Sequence, residues 1–388
     1  MWDVLRSLWQ NLSQSKAGKS SGKYEKAFFD SIYRIFYVTG LAGFNESPGY
    51  KIYSSIVLLA LFTIFVLENL YYMLENLTMV ELISSLNMLI LHTMTAWKLI
   101  SMVNEYKEIA KSMDSPYFDV STQRRKNILD YWVTKNSNYI TMLLKLRTYN
   151  LTVWNMLPFF DDIEYNLPLD LYIPYKYTSE TLYYLTYILV VIIFTYISYW
   201  VIMSEAIIQV HLYLLTCRYA VLADCFENIE EYVKLPEHEG KQVIYSMAMK
   251  KALGFPMLGQ LAATGMLLCM TAYQAIATIE DNKGKFIVSL LYLGYNMFTF
   301  YHVCRSCEEL TMQSHNIGRA VYFSGWERGA CKLPGVKCAF IMIIARSNKP
   351  LIFLAGGMYP LSLRSYANLV KTSYSFLTML LNTSNKSK

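Results

Sequence analysis

Apolar residues gather in seven stretches, each close to the ~20 residues that cross the hydrocarbon core of a bilayer. They run from Ile52 to Leu74, Glu81 to Val103, Asn138 to Phe160, Thr181 to Ser204, Leu258 to Ile279, Phe286 to Val303, and Leu351 to Leu381. The third is the weakest, because Lys145 and Arg147 interrupt it. The last is long enough to hold a re-entrant or broken stretch around Gly356, Gly357 and Pro360. The pattern predicts an all-α polytopic membrane protein with seven transmembrane helices. Ahead of the first span, residues 24–46 carry Phe28, Phe29, Ile32, Ile35, Phe36 and Val38 among lysine and arginine. Such a segment suits a helix lying in the membrane interface, and equally one docked on the inner face of the protein.

Composition changes the picture by exclusion. Only 16% of the residues are charged, where a soluble domain carries about 25%, and the mean hydropathy is +0.24. So few charges cannot clothe a soluble surface, which sets aside soluble enzymes and secreted disulfide scaffolds. The net charge of +6 is too small and too dispersed for a nucleic-acid footprint. The basic residues report orientation instead. Counted over the loops, 25 Lys and Arg fall on the N-terminal side of the membrane and only five on the other. Basic loops stay in the cytoplasm, so the expected N-terminus is cytoplasmic and the C-terminus extracellular. Met1 to Ser21 lacks the apolar core of a signal peptide, which leaves the first span as the insertion signal. This orientation reverses that of G-protein-coupled receptors, and Cys217-Arg218-Tyr219 lacks the acid that precedes arginine in them.

No catalytic constellation emerges from the five histidines, and no phosphate-binding loop is present, so neither an enzyme nor a cofactor is expected. The seven cysteines fall within spans or on the reducing side, where pairing is rare. Cys304-x-x-Cys307 with His302, His315, Cys331 and Cys338 sketches a zinc site, but the spacing fits poorly and buried free thiols are the plainer reading. Asn76-Leu77-Thr78 falls in a short external loop and is a glycosylation candidate.

The last span carries the most chemistry. Lys371, Ser375, Thr378 and Asn382 stand at i, i+4, i+7 and i+11, one face of a helix, with Arg364 nearly in line. The opposite side holds Leu369, Phe376, Leu377 and Leu380. A polar stripe at membrane depth must face protein or water. It is either a pore wall, with Met379 beside it as an apolar constriction, or a helix–helix contact held by hydroxyls and an amide.

Lys349-Pro350-Leu-Ile-Phe-Leu-Ala355-Gly356-Gly357-Met358-Tyr359-Pro360-Leu361-Ser362-Leu363, followed by Leu369-Val370-Lys371-Thr372-Ser373-Tyr374-Ser375-Phe376, closely resembles the C-terminal signature of insect odorant receptors. Tyr322-Phe323-Ser324-Gly325-Trp326 is similar to that family's penultimate intracellular helix. The Thr-Tyr…Gln-Phe ending of gustatory receptors is absent. The resemblance implies a ligand-gated cation channel in the plasma membrane of olfactory neuron dendrites, a heterotetramer of odour-binding subunits with a shared co-receptor. The co-receptor has a long insertion between spans four and five. Here Cys225 to Lys251 is short, which suits an odour-binding subunit. The resemblance places the pore along the last helix, the gate near Met379 and a polar position at Asn382. Lys371 and Arg364 in four copies would repel cations, so either they turn from the axis or few copies of this chain are present. The organisation implied for residues 1–388 is a single membrane domain. Residues 52–204 form the ligand-binding half, 205–349 hold spans five and six with a cytoplasmic anchor, and 350–382 line the pore.

Small-ligand sites are mostly apolar and aromatic with a few polar groups. The outer halves of four spans offer such faces: Arg147, Asn150 and Trp154 on span three; Tyr184, Ile188 and Val191 on span four; Val288, Tyr292 and Tyr295 on span six; and Asn87, Met88 and Leu91 on span two. The family's pocket lies in the same region, with a tryptophan on span three and two tyrosines three apart on span six, matched here by Trp154, Tyr292 and Tyr295. The expected ligand is a small volatile ester, alcohol, aldehyde or terpenoid. The plainer reading of any one aromatic is an anchor in the lipid headgroups. A rival class is a seven-span receptor that signals through a cytoplasmic partner without a pore of its own.

Overall fold

A computed structural model describes residues 23–40, 48–57, 120–159, 165–168, 179–228, 238–278, 283–326, 336–349 and 351–386, with scattered single positions between them. Most of spans one and two lies outside the described residues, including Asn87, Met88, Leu91 and the Asn76-Thr78 sequon. So do Cys331 and the acidic loop residues Asp161, Asp162, Glu164 and Asp170.

The described chain is helical apart from one small hairpin. Helix α1 (Lys23–Val38) precedes α2 (Gln123–Met156), α3 (Glu180–Glu227), α4 (His238–Ala277), α5 (Lys283–Phe323) and α6 (Val336–Ser347). A two-stranded hairpin, β1 (Leu354–Ala355) with β2 (Tyr359–Pro360), leads into α7 (Leu363–Lys386). Local chemistry marks the ends. Thr122 caps α2 by accepting the Arg125 N–H. Gly40 and Gly325, at φ +77° and +70°, follow α1 and α5 in the left-handed conformation that suits glycine. Ser362 accepts the Ser365 N–H at the start of α7 (3.2 Å), and the Glu308 carboxylate of α5 accepts the Leu363 N–H (3.0 Å).

The helices outrun the spans read from hydropathy. Span four was expected to end at Ser204, yet α3 continues to Glu227, 48 residues in all. At 1.5 Å per residue that is about 72 Å, against about 30 Å of hydrocarbon. Among the described residues, α3 and α5 are long and apolar enough to cross a membrane by length and composition. The surplus length of α3 is buried in protein. From Val201 to Phe226 nearly every side chain is shielded, by α1, α2 and α5. Helix α1 lays Phe28, Phe29, Ile32 and Phe36 into this core; Phe29 meets His211 edge-on at 4.8 Å, and Asn136 donates to the Phe28 carbonyl at 3.0 Å. Ion pairs fasten the same end. Asp224 takes Arg124 at 2.6 Å and Arg125 at 3.2 Å, and Lys135 binds Glu309 at 2.6 Å beneath the Trp132 ring.

The break expected near Gly356 is the hairpin. Gly356 and Gly357, at φ +59° and +74°, form its tip. A Cβ on Gly356 would come within 2.6 Å of Leu258 Cδ2, so glycine also lets the hairpin lie flat on α4. The last helix proper therefore starts at Leu363 rather than within the apolar run at Leu351.

Candidate functional site

Two facing stripes define the site. Helix α2 presents Arg147, Asn150 and Trp154 at helical spacing, and α5 presents Val288, Tyr292 and Tyr295. Trp154 meets the Tyr292 ring edge-on at 6.1 Å and Phe194 of α3 at 5.6 Å. Its indole N–H donates to the Pro168 carbonyl at 2.9 Å, which fixes the ring. Tyr292 also packs with Val201 of α3 and Leu267 of α4, so four helices converge there.

Polar groups sit immediately inward. The Arg147 guanidinium lies over the Tyr295 ring at 5.1 Å and donates to Ser198 Oγ at 3.2 Å. The Tyr295 hydroxyl donates to Glu205 Oε2 at 2.9 Å. Tyr292 Oη, Asn150 Nδ2 and Arg147 Nε are buried without a hydrogen bond of good geometry. An apolar aromatic cluster with a few convergent polar groups is what a small-molecule site requires, and nothing in it forms a nucleophile–base pair.

The structure brings Trp154 and Tyr292 into contact, sets Tyr295 against Arg147, and buries Asn150 on the α2 face between Arg147 and Trp154. It does not bring in Tyr184 or Ile188, which are 55% and 59% exposed on the outside of α3. The inward face of α3 is Tyr187, Val190, Phe194, Ser198 and Val201 instead. Span four is apolar on all sides, so periodicity could not say which face is buried. For Arg147 the sequence left pairing with Asp161, Asp162 or a neighbouring span as the expectation; its described partners, Ser198 of α3 and Tyr295 of α5, are on neighbouring spans. Glu205 escaped the sequence reading because it falls one residue past the predicted end of span four. A lone acid at the edge of so apolar a run was the available signal.

On α7, the inward face is Ser365, Leu369, Ser373, Leu377 and Leu381. Ser373 donates to the Gly265 carbonyl of α4 at 3.1 Å, and a Cβ on Gly265 would meet Leu369 Cδ1 at 3.0 Å. Lower down, Leu377 packs on Cys269 and Tyr273. Lys371, Ser375 and Asn382 are exposed on this chain, Thr378 is half-buried, and Met379 is 66% exposed. The stripe is thus not a contact between helices of the described chain. Its hydroxyls are satisfied within α7: Ser375 donates to the Lys371 carbonyl (3.1 Å) and Thr378 to that of Ser375 (2.8 Å). Phe376 and Leu380, expected opposite the stripe, are also exposed, so the docked face is narrower than the sequence suggested.

Two helices long and apolar enough to cross a membrane, with a buried aromatic cluster suited to a small molecule, fit the class of helical membrane proteins. The sequence matches the family profile described as 7tm Odorant receptor over residues 78–374, and the chain belongs to that family. It is similar to Odorant receptor 94a of Drosophila melanogaster, 26% identical over 129 residues, which are 33% of each chain. It is also similar to Odorant receptor Or2 of Anopheles gambiae, 25% identical over 165 residues, 42% of this chain and 39% of the relative. These matches span well under half the length of the curated relatives. The fold extends further. The olfactory receptor OR5 from Machilis hrabei in complex with eugenol superposes with a TM-score of 0.79 at 12% identity, covering 93% of this chain and 100% of that one. Another structure of the same receptor gives 0.77 at 12% identity, covering 92% and 98%. The relatives and the structural neighbours that the chain matches are receptors rather than enzymes.

Proposed function

We propose that this chain is an odour-binding subunit of an odorant-gated cation channel, assembled as a heterotetramer with the family co-receptor. It would cross the plasma membrane of the olfactory dendrite seven times, with its N-terminus cytoplasmic and its C-terminus outside. The ligand would sit among Trp154, Asn150, Tyr292 and Tyr295, with span two supplying Asn87, Met88 and Leu91. The OR5 structure with eugenol, a small methoxyphenol, supports a small volatile as the class of ligand. Residues 205–349 would form the cytoplasmic anchor. The pore would run along α7, lined by Lys371, Ser375, Thr378 and Asn382 and closed near Met379.

The observation that carries this reading is the outward polar face of α7 on a helix whose other face is docked on α4. Polar side chains turned away from the chain at membrane depth need water or another subunit, and a central pore supplies both. The cation-repelling Lys371 favours few copies of this chain per channel. Two helices link site and pore. Helix α4 carries Leu267 beside Tyr292 and Gly265 beneath Leu369. Helix α5 carries Tyr292, and further along Phe300 and Tyr301, whose rings meet Tyr366 of α7 at 6.1 and 5.7 Å.

The test is current in excised patches from cells expressing this chain with the co-receptor, during perfusion of esters, alcohols, aldehydes and terpenoids. Odour-evoked current that persists after excision supports direct gating. Current lost on excision would establish the cytoplasmic-partner reading instead. Met379→Ala is expected to raise resting current, and an unchanged resting conductance would remove Met379 as the gate.

A further inference from the structure

The donor atoms around Tyr292 narrow the chemistry of the ligand, an inference that rests on this cluster being the odorant site. Asn150, Arg147 and Tyr292 are each more than nine-tenths buried, and each presents an atom without a hydrogen bond of good geometry: Asn150 Nδ2, Arg147 Nε and Tyr292 Oη, the last with the Asn296 amide, a further donor, beside it. The two nitrogens can only donate, and the phenol donates readily. They share one side of the site. Arg147, Asn150 and Trp154 lie one turn apart on α2, and Tyr292 touches Trp154 and lies within the electrostatic reach of Arg147. Two acceptors nearby are engaged: Ser198 Oγ accepts from Arg147, and Glu205 Oε2 accepts from Tyr295. Among the described atoms around Trp154 the unpartnered ones are therefore mostly donors, against one acceptor, Asn155 Oδ1.

Charge points the same way. Arg147 and Glu205 flank Tyr295 with opposite signs, so the group is already balanced. A carboxylate ligand would bring a second negative charge into an apolar surround. An amine would add donors where donors are in excess, and a hydrocarbon would leave all of them unmet. We propose that the site selects neutral volatiles with a strong acceptor oxygen, the carbonyl of a ketone, aldehyde or ester. Tyr292 Oη and Asn150 Nδ2 hold that oxygen with Arg147 Nε beside them, while the hydrocarbon body packs on Trp154, Phe194 and Leu267.

The experiment has two arms. In the first, the full chain is expressed with the co-receptor and challenged with compounds of equal carbon number: a methyl ketone, a methyl ester, an alkane, a carboxylate and a primary amine. The ketone and ester are expected to half-activate at concentrations about tenfold or more below the alkane. Tyr292→Phe combined with Asn150→Leu is expected to close that gap by weakening ketone and ester while leaving the alkane unchanged. Preference for the alkane, carboxylate or amine, or equal loss of every class in the variant, overturns the proposal. The second arm needs no agonist. Purified Tyr292→Phe is expected to melt at the same temperature as the parent or higher, because a buried hydroxyl without a well-formed hydrogen bond is removed. A lower melting temperature would show that the hydroxyl is tied within the protein, and overturns its role as an anchor. Silence to every class by channels present at the surface overturns the channel reading, while the melting arm still decides the anchor.

Discussion

Near the C-terminal end of α3, Asp224 meets Arg124 and Arg125; in its N-terminal half, Arg147 meets a serine hydroxyl and the face of a tyrosine. Both regions bury arginine almost completely, with Arg125 at 0% and Arg147 at 6% exposure. They differ in what answers the charge. In the anchor it is a carboxylate in direct contact, the arrangement that makes a buried ion worth keeping. In the site it is a polarisable ring, Tyr295, whose hydroxyl in turn donates to the Glu205 carboxylate. The comparison teaches that one buried arginine is held by direct charge and the other by a ring and a hydroxyl, a softer hold beside the aromatic cluster.

Breaking the anchor should give the largest effect. Asp224→Ala leaves Arg125 buried without its carboxylate and is expected to destabilise the fold by about 3–5 kcal/mol. The readout is loss of folded protein at the cell surface and a lowered melting temperature after purification. A near-normal yield would mean that water reaches Arg125 and that the two ends are more alike than their geometry suggests. Gly318→Val is next. A side chain there would overlap the Ser347 hydroxyl and stand within 2.8 Å of its Cβ, wedging α5 from α6. Overpacking of this kind costs about 1–3 kcal/mol, and it should lower stability while leaving the order of agonist preference intact.

Acid sharpens the comparison through one group of the anchor. Burial pushes the His211 imidazole down from 6.5 to about 4, so the folded protein holds it neutral. The unfolded chain takes up the proton first, and stability is lost as the pH falls from about 6.5 towards 4. Melting in purified samples should show a steeper decline over that window than His211→Gln, and parallel curves would remove the effect. The smallest change is Lys135→Met, which removes a half-exposed pair with Glu309 and the contact over Trp132. A loss of about 1 kcal/mol is expected from thermal melting, with agonist potency unmoved.

The sequence by itself determined the class of the molecule, the N-terminal helix and the helices that carry spans three to seven, though not the separate helix α6, and part of the facing where one side is polar. The α2 and α5 stripes through Trp154 and Tyr292 were legible because a charged or hydroxylated side stood against an apolar one. The stripe on α7 was legible for the same reason. Tertiary structure alone decided the rest. Helix α3 is apolar around its whole circumference, so only packing could choose Phe194 and Ser198 over Tyr184 and Ile188. Its continuation to Glu227 was hidden because hydropathy reports where lipid can be tolerated, while a helix buried in protein needs only neighbours. Glu205 became part of the site because α5 brings Tyr295 to it from 90 residues away, a meeting that no local pattern encodes. Periodicity records how one helix divides its own surface. Which side meets which partner depends on all the helices at once.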